Sequence, residues 1–318
     1  MGEQPLAIGL DVGGSKVGGV LMAADGAVRS SLRHETPADD VDAVLETVVL
    51  VAKRLGAAGP AAAIGVGAAG MVEHETGAMR WAPNIAWREI PLRDLVAERT
   101  GLPCIVDNDA NTAAWGECRF GAARGLRHVL VVTVGTGIGG GIVQDGALYR
   151  GAHGFAAEIG HVIVEPDGPL CGCGNRGCWE QVAGGQALDR MAEEAARLEP
   201  DGPIARAAGG ATASGRDVVE AAAGGDPEAA RMLEAVGGRL GEGLAGLANV
   251  LDPEAIVVGG GMAEIGPPFL DPARARFLET VEAPDHRPEI PILPATLGND
   301  AGAIGAATMA LESLEEGG

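Results

Sequence analysis

The sequence predicts an α/β fold built from two related halves, and three observations favour it. Short apolar runs alternate along the chain with segments in which apolar residues recur at helical spacing. One order of signals occurs twice: an apolar run, a glycine-rich turn, a second apolar run and an Asp-Gly hairpin sequence. The core must be aliphatic, because Ala, Gly and Val are abundant while only 3% of the residues are aromatic.

The first of these units occupies residues 6–26. The apolar run from Leu6 to Val12 predicts a strand that stops at the turn Gly13-Gly14-Ser15-Lys16. The run from Val17 to Ala23 predicts a second strand, which ends at the hairpin sequence Asp25-Gly26. This arrangement predicts a strand pair with a sharp, glycine-lined turn at one end.

The second unit repeats this order in the middle of the chain. A β-branched apolar run over residues 129–134 leads into the glycine-rich turn 135–141. Ile142-Val143 then leads to a second Asp-Gly pair, Asp145-Gly146. Two units of the same kind in one chain predict a duplicated architecture.

Periodicity places the remaining elements. We predict helices over residues 39–56, 91–100, 186–198, 227–250 and 302–314, and strands over residues 64–68, 104–106 and 256–258. Asp109 is expected to cap a further helix that runs towards Cys118. Residues 199–216, rich in Gly, Ala and Pro, are expected to form a loop between helices.

Charge and composition exclude several classes of protein. With 23 basic and 44 acidic residues the formal net charge is −21, which repels phosphate backbones and argues against nucleic acid as a partner. The N-terminus lacks the basic and apolar segments of a signal peptide. The sequence contains no run of about 20 apolar residues, so we predict no membrane span. We therefore expect a cytoplasmic protein without a membrane partner.

A cluster of cysteines predicts a metal site. Cys171, Cys173 and Cys178 lie within eight residues, and His161 precedes them by ten. Three thiolates and an imidazole are a ligand set of closed, structural zinc sites, and the intervening glycines let the backbone turn tightly. A disulfide is the main alternative, although the odd total of five cysteines makes it awkward.

Two acidic residues bracket this cluster without being needed by the metal. Glu158 lies three residues before His161, and Glu180 lies two residues after Cys178. A zinc loop would hold both carboxylates rigidly, and fixed acceptors suit a ligand with many hydroxyl groups. The alternative is that either glutamate is ordinary surface charge.

Three glycine-rich turns follow apolar strands, at residues 13–14, 135–141 and 259–261. Such turns expose backbone N–H groups and let phosphate approach the chain, so they favour a nucleotide site over simple close packing. Gly135-x-Gly137-x-x-Gly140 also has the dinucleotide-binding spacing, but that motif needs a helix after it. A strand and hairpin are predicted there instead, so we reject that interpretation.

Three polar residues next to these turns and strands are candidates for catalysis. Asp11, at the end of the first strand, can hold Mg²⁺ against nucleotide phosphates. Lys16 is either a phosphate contact or a solvated turn residue. Asp109, which follows Asn108, is either a helix cap or a general base that takes a proton from an attacking hydroxyl.

The whole chain resembles the ROK family (repressors, open reading frames and sugar kinases), and within it the bacterial glucokinases. The resemblance is carried by DVGGSK at residues 11–16, GAAG at 67–70, APN at 82–84, DNDAN at 107–111, VTVGTGIGGG at 132–141, EIGH at 158–161, CGCGNRGCWE at 171–180 and VVGGG at 257–261. One departure is Ala157, which stands where the family usually has Gly before EIGH.

The resemblance implies an actin-like ATPase fold, in which two ribonuclease-H-like domains surround a central cleft. The implied domains are residues 1–108 with 300–318, completed by the C-terminal helix, and residues 109–299 with the zinc loop. Asp109 would be the catalytic base. The implied sugar ligands are Gly70, Asn84, Asn108, Asp109, Glu158, His161 and Glu180. The implied contacts to Mg·ATP are Asp11, Gly13, Gly14, Ser15, Lys16, Gly135, Thr136, Gly137, Gly259, Gly260 and Gly261.

The expected activity is ATP-dependent phosphorylation of glucose at its 6-hydroxyl, with structural Zn²⁺ at His161 and the three cysteines, and Mg²⁺ bound with ATP. Other sugars of this family (fructose, mannose, N-acetylmannosamine or another N-acetylhexosamine) and polyphosphate as donor are the alternatives. A sugar-responsive regulator is disfavoured, because the first strand begins near residue 6 and leaves no room for a helix-turn-helix segment. The resemblance also suggests a homodimer or homotetramer.

Overall fold

The computed structural model describes residues 5–316, which form an α/β fold. The strands are β1 (Leu6–Val12), β2 (Lys16–Ala23), β3 (Val28–Glu35), β4 (Ala61–Ala68), β5 (Met71–Glu73), β6 (Ala78–Trp81), β7 (Arg88–Ile90), β8 (Cys104–Asn108), β9 (Val129–Val134), β10 (Ile138–Gln144), β11 (Ala147–Leu148), β12 (Ala255–Gly259) and β13 (Ile292–Pro294). The helices are α1 (Val41–Gly56), α2 (Leu92–Thr100), α3 (Asp109–Phe120), α4 (Trp179–Ala183), α5 (Gly185–Leu198), α6 (Pro203–Ala208), α7 (Gly215–Ala223), α8 (Pro227–Leu251), α9 (Pro267–Thr280) and α10 (Ala301–Glu316).

Two five-stranded sheets have the same topology, which confirms the predicted duplication. The first sheet has the strand order β3-β2-β1-β4-β8, and the second has β11-β10-β9-β12-β13. In each, the second and third strands form an antiparallel hairpin that turns at an Asp-Gly pair, and two later strands lie on the other side of the first strand. The remaining strands, β5-β6-β7, form a small antiparallel sheet.

The first sheet is buried on both faces. One face packs Ile8 and Leu10 against apolar residues of α1 and α2, such as Val48. The other face packs Ala7 against α10, which contributes Ala307 and other small residues. Because both faces are covered, β1 and β4 consist of nearly continuous apolar runs rather than of alternating ones.

Helices dominate the chain between the second sheet's strands β11 and β12. The longest, α8, has Leu233, Val236, Leu240 and Leu244 buried at spacings of three and four residues, so one stripe faces its neighbours. Among residues 5–316, no helix is long and apolar enough to cross a membrane.

Two local predictions were wrong. Residues 199–216 are not a continuous loop, because they include α6 and the start of α7, whose capping box joins Ser214 and Asp217. The N-cap of α3 is Asn108 and not Asp109, which is the first helical residue. The strands of the small sheet and the helix α9 were also not predicted.

By its internal packing the chain divides into two compact units. Of the described residues, the first comprises 5–131, 140–157 and 295–316, and the second comprises 132–139 and 158–294. The C-terminal helix α10 therefore groups with the N-terminal residues. The family-based domains, 1–108 with 300–318 and 109–299, stay a prediction.

Candidate active site and metal centre

The candidate residues of the first unit lie at the carboxyl edge of its sheet. Strands β1, β4 and β8 are parallel, and their register puts Asp11 opposite Gly67 and Gly67 opposite Asp107. The next row contains Val12, Ala68 and Asn108. The strand ends that bear Asp11 and Asn108 therefore share one edge, where ligands of parallel sheets bind.

The start of α3 fixes Asn108 and Asp109. The side-chain Oδ1 of Asn108 accepts hydrogen bonds from the backbone N–H groups of Ala110 and Asn111, at 2.8 and 3.2 Å. Its Nδ2 donates to the carbonyl oxygen of Gly70, at 3.0 Å. Because Asn108 caps the helix, the carboxylate of Asp109 is not used for that purpose. Burial raises the pKa of Asp109, although N–H donors including that of Ala110 oppose the shift.

Asp11 lies beside the turn that follows β1. The N–H of Gly13 donates to the carbonyl oxygen of Lys16 at 3.0 Å and closes this turn. Burial raises the pKa of Asp11 to about 7, and the charge of Asp109 adds to the shift, whereas Lys16 and Arg33 oppose it. A buried carboxylate whose charged form is disfavoured suits a cation ligand, because the cation would compensate the charge.

The loop that carries Asn84 packs directly on this turn. A Cβ at Gly14 would lie 2.7 Å from Cβ of Asn84, so only glycine allows the approach. The guanidinium of Arg88 holds the loop, since its Nη1 donates to the carbonyl oxygens of Ala82, Ile85 and Trp87 at 2.7, 2.9 and 2.6 Å. No motif in the sequence pointed to Arg88, because its partners are backbone atoms.

In the second unit, His161 and the three cysteines form one cluster. Their candidate ligand atoms all lie within 4.8 Å of one another. Sγ of Cys173 is 3.6 Å from Sγ of Cys178, and Sγ of Cys171 is 3.6 Å from Nδ1 of His161. Gly174 and Gly177, between the cysteines, have φ angles of 95° and 66°, which favour glycine. The cluster can therefore hold a metal ion.

Both predicted carboxylates surround this cluster. Nε2 of His161 lies 3.9 Å from Glu158, and its Nδ1 lies 3.8 Å from Oε1 of Glu180. Sγ of Cys171 lies 3.0 Å from the same oxygen of Glu180. The metal cluster and the two carboxylates are therefore one continuous polar group.

The glycine-rich turns of the second unit meet at the end of β9. The N–H groups of Gly185 and Gln186, in the first turn of α5, donate to the carbonyl oxygens of Gly135 and Thr136 at 2.8 and 3.0 Å. The N–H of Met262, after β12, donates to Val134 at 3.0 Å. Oε2 of Glu180 packs so closely on Gly137 that a Cβ there would lie 2.3 Å away.

A cavity of about 660 Å³ lies among these turns. Its lining includes the predicted residues Gly135, Thr136 and Gly261. It also includes Asp189 and Arg216, which sequence reasoning missed because they lie on helices without a recognisable motif. The cavity combines exposed backbone with three charged side chains, those of Asp189, Arg216 and Glu264, a combination compatible with a polar ligand.

The sequence-predicted residues thus fall into two groups. The first unit contains Asp11, Gly13, Gly14, Ser15, Lys16, Gly70, Asn84, Asn108 and Asp109. The second contains Gly135, Thr136, Gly137, Glu158, His161, Cys171, Cys173, Cys178, Glu180, Gly259, Gly260 and Gly261.

Comparison with known proteins agrees with this combination of fold and polar groups. A profile of the ROK family matches residues 7–313. This chain belongs to the ROK family. It is 40% identical over 311 residues to a glucokinase of Streptomyces coelicolor, which covers 96% of this chain and 98% of the relative.

Solved structures of the family show the same fold. A ROK family glucokinase from Streptomyces griseus, in complex with glucose and AMPPNP, is 41% identical and superposes with a TM-score of 0.89. The match covers 96% of this chain and 99% of that one. A ROK hexokinase from Thermus thermophilus is 34% identical, with a TM-score of 0.79 over 98% and 99% of the two chains. The actin-like ATPase fold expected from the sequence is therefore confirmed.

Proposed function

We propose that this protein is a glucokinase that transfers the γ-phosphoryl group of ATP to the 6-hydroxyl of glucose. The observation that carries the proposal is similarity over nearly the whole chain to glucokinases, one of which binds glucose and AMPPNP. The candidate residues agree with it, since they comprise a half-buried carboxylate as base, fixed acceptors for sugar hydroxyls and glycine turns for phosphates.

Asp109 is the proposed general base. Its carboxylate accepts the proton of the 6-hydroxyl as the oxygen attacks the γ-phosphorus and ADP leaves, giving glucose 6-phosphate. A pKa raised by burial makes the carboxylate a better proton acceptor near neutral pH than an ordinary aspartate. The helix cap at Asn108 leaves the carboxylate available for this role.

The proposed sugar ligands are Gly70, Asn84, Asn108, Asp109, Glu158, His161 and Glu180. Carboxylate, amide and carbonyl oxygens suit glucose because each sugar hydroxyl needs an acceptor for its hydrogen. Several of these groups are fixed by other contacts, as Asn108 is by Gly70 and Glu180 by Cys171. Fixed acceptors favour one sugar stereochemistry over another, because an unpaired buried polar group is costly.

The proposed nucleotide site uses the turns at residues 13–16, 135–137 and 259–261. The cavity lined by Gly135, Thr136 and Gly261 has room for the adenosine part, with Asp189 and Arg216 as additional polar contacts. Mg²⁺ bound with ATP would neutralise phosphate charge during the transfer. Asp11 is the proposed group that holds it, directly or through water, since its raised pKa indicates a carboxylate in need of a nearby cation.

The proposed metal of the cysteine cluster is structural zinc. Tetrahedral zinc with bonds of about 2.3 Å to sulfur and about 2.0 Å to nitrogen requires S···S and S···N separations of about 3.8 and 3.6 Å. The separations of 3.6 Å agree with both values. Four protein ligands leave no open position, so zinc would hold the loop in place while phosphoryl transfer depends on Asp109 and Mg·ATP.

The experiment that tests the function is a coupled ADP-release assay over a panel of sugars and phosphoryl donors. We expect the highest kcat/KM for glucose with ATP, and lower values for fructose, mannose and N-acetylmannosamine. A higher value for another sugar, or for polyphosphate as donor, would reassign the substrate within the same reaction type. Absence of ADP release with every sugar would overturn the proposed function. The homodimer or homotetramer expected from the family stays a prediction.

A further inference from the structure

A buried carboxylate lies directly beneath the two residues that the proposed reaction needs most. Asp107, at the end of β8, is only 4% exposed. Its Oδ1 accepts hydrogen bonds from the backbone N–H of Asn108 at 2.8 Å and from Nδ2 of Asn111 at 2.9 Å. Its Oδ2 accepts from Nε of Arg150 at 2.6 Å. Asp107 thus joins the end of the strand, the first turn of α3 and a residue 43 positions away.

These bonds determine the geometry of the first turn. Asn108 is held through its backbone by Asp107 and through its side chain by Gly70 and by the helix N–H groups that it caps. Nδ2 of Asn111 faces Asp107, and Oδ1 of Asn111 is consequently buried without a hydrogen-bond partner. A buried acceptor without a partner is unfavourable, so the contact of Nδ2 with Asp107 sets the orientation of Asn111.

Arg150 is the cation that neutralises Asp107. The guanidinium is 25% exposed, whereas the side chain of Asp107 is 6% exposed, so the carboxylate has little access to solvent. His74 is the other basic group nearby, with Nδ1 at 3.9 Å, but burial and the charge of Arg150 lower its pKa. Arg150 and Asp107 both line a cavity of about 310 Å³, which gives small solutes access to the pair.

We infer that the Asp107–Arg150 ion pair is a positioning device that holds Asn108 and Asp109 for phosphoryl transfer. The inference depends on the proposed function, since Asp109 and Asn108 act on the sugar only in that reaction. Loss of Arg150 would leave a buried carboxylate unpaired, and Asp107 would turn towards water and release the N–H of Asn108. A displacement of about 1 Å at the base is enough to lower kcat by up to about 100-fold.

The test compares Arg150→Ala, Arg150→Gln and Glu117→Gln with the wild type. Glu117 is the matched control because, like Asp107, it is a buried carboxylate. It lies in α3 and accepts hydrogen bonds from the N–H groups of Thr296 and Leu297, and not from the first turn of α3. We expect Arg150→Ala to lower kcat about 10- to 100-fold and to raise the KM for glucose, with the KM for ATP within about 2-fold. Methylguanidinium entering the cavity should restore part of kcat. Glu117→Gln should lower the melting temperature and keep kcat.

The outcomes separate the possibilities. An inactive wild type would overturn the proposed function itself. If the wild type is active, two results would overturn the positioning role. One is a folded Arg150→Ala protein with unchanged kcat. The other is a kcat of Arg150→Ala that falls no further than that of Glu117→Gln when both variants lose the same amount of melting temperature. If Arg150→Ala does not fold, Arg150→Gln decides, since it removes the charge but keeps most of the side chain: a reduced kcat with unchanged KM for ATP supports the role, and a wild-type kcat overturns it.

Discussion

The Sγ atom of Cys171 lies 3.0 Å from Oε1 of Glu180. One contact therefore joins the metal cluster to a proposed sugar ligand, and the other carboxylate oxygen of Glu180 packs against the turn at Gly137. The geometry of the cysteine loop is transmitted in this way to groups that are not metal ligands. We therefore propose that the metal cluster supports the proposed sugar and phosphate residues and is not a separate site.

Removing a cysteine of the cluster should abolish sugar binding. In Cys171→Ala, Cys173→Ala or Cys178→Ala the protein should lose zinc, and Glu180, His161 and Glu158 should lose their fixed positions. Metal content by elemental analysis and glucose affinity by calorimetry measure both effects. Cys118→Ala is the control, since Cys118 is a buried cysteine of α3 that is not one of the four cluster residues. A folded, zinc-free variant that binds glucose normally would contradict the supporting role.

Replacing the proposed base should affect turnover and not affinity. Asp109→Asn keeps the size of the side chain but cannot accept the hydroxyl proton, so kcat should fall by about 100- to 10,000-fold. Glucose affinity, measured without nucleotide, should change little. Asp145→Asn, in the exposed hairpin between β10 and β11, is the control for a general charge effect. Near-normal turnover of Asp109→Asn would remove Asp109 from the mechanism.

Adjacent glycines of the first turn should respond differently to alanine. The added Cβ of Gly14→Ala would meet the backbone and Cβ of Asn84 at 2.8 and 2.7 Å, so the loop carrying Asn84 must move and glucose affinity should fall. In Gly13→Ala the nearest atom to the new Cβ is 3.7 Å away. Gly13→Ala should therefore keep glucose affinity in the absence of nucleotide. Equal glucose affinities for the two variants would disprove this account of the turn.

Asp11 should make the unliganded protein less stable as the pH rises. Because burial raises the pKa of Asp11 from 3.8 to about 7, the folded protein holds its proton at pH values where the unfolded chain has released it. The free energy of unfolding should therefore decrease between about pH 4 and pH 7 because of this residue. Denaturant unfolding of Asp11→Asn and wild type, without Mg²⁺ or nucleotide, should show a gain for the variant at pH 8 that is small at pH 4. If the free energies of unfolding of the variant and the wild type differ by the same amount at pH 4 and pH 8, the raised pKa of Asp11 would be refuted.

Ala157 occupies a backbone conformation that favours glycine. Its φ angle is 68°, a left-handed conformation that costs an alanine about 1–2 kcal/mol. Ala157→Gly should raise the free energy of unfolding by about 0.5 kcal/mol, after the entropy cost of glycine is subtracted. Ala156→Gly, at a neighbour without a positive φ, should lower it by a similar amount. Chemical denaturation measures both, and a destabilised Ala157→Gly would contradict the strain.

Local signals predicted much of the fold. The two strand–turn–strand units needed only short-range patterns, and the matching strand orders of the two sheets confirm the predicted duplication. Boundaries were less accurate where short helices follow Gly-rich sequence, as in α6, because packing against α5 and α7 and not intrinsic propensity stabilises them. The cap of α3 was misassigned by one residue because Asn108 and Asp109 are both good capping residues.

The sequence by itself determined the family, the duplicated α/β topology and the cluster of His161 with three cysteines, because these depend on motifs and on residues close in the chain. Only the tertiary structure decided that Arg150 neutralises Asp107, that Arg88 holds the loop of Asn84, and that Asp189 and Arg216 line the cavity beside the glycine turns. These contacts join segments that are far apart in sequence or end on backbone atoms. No spacing encodes them, since they arise when packed strands and helices bring the segments together.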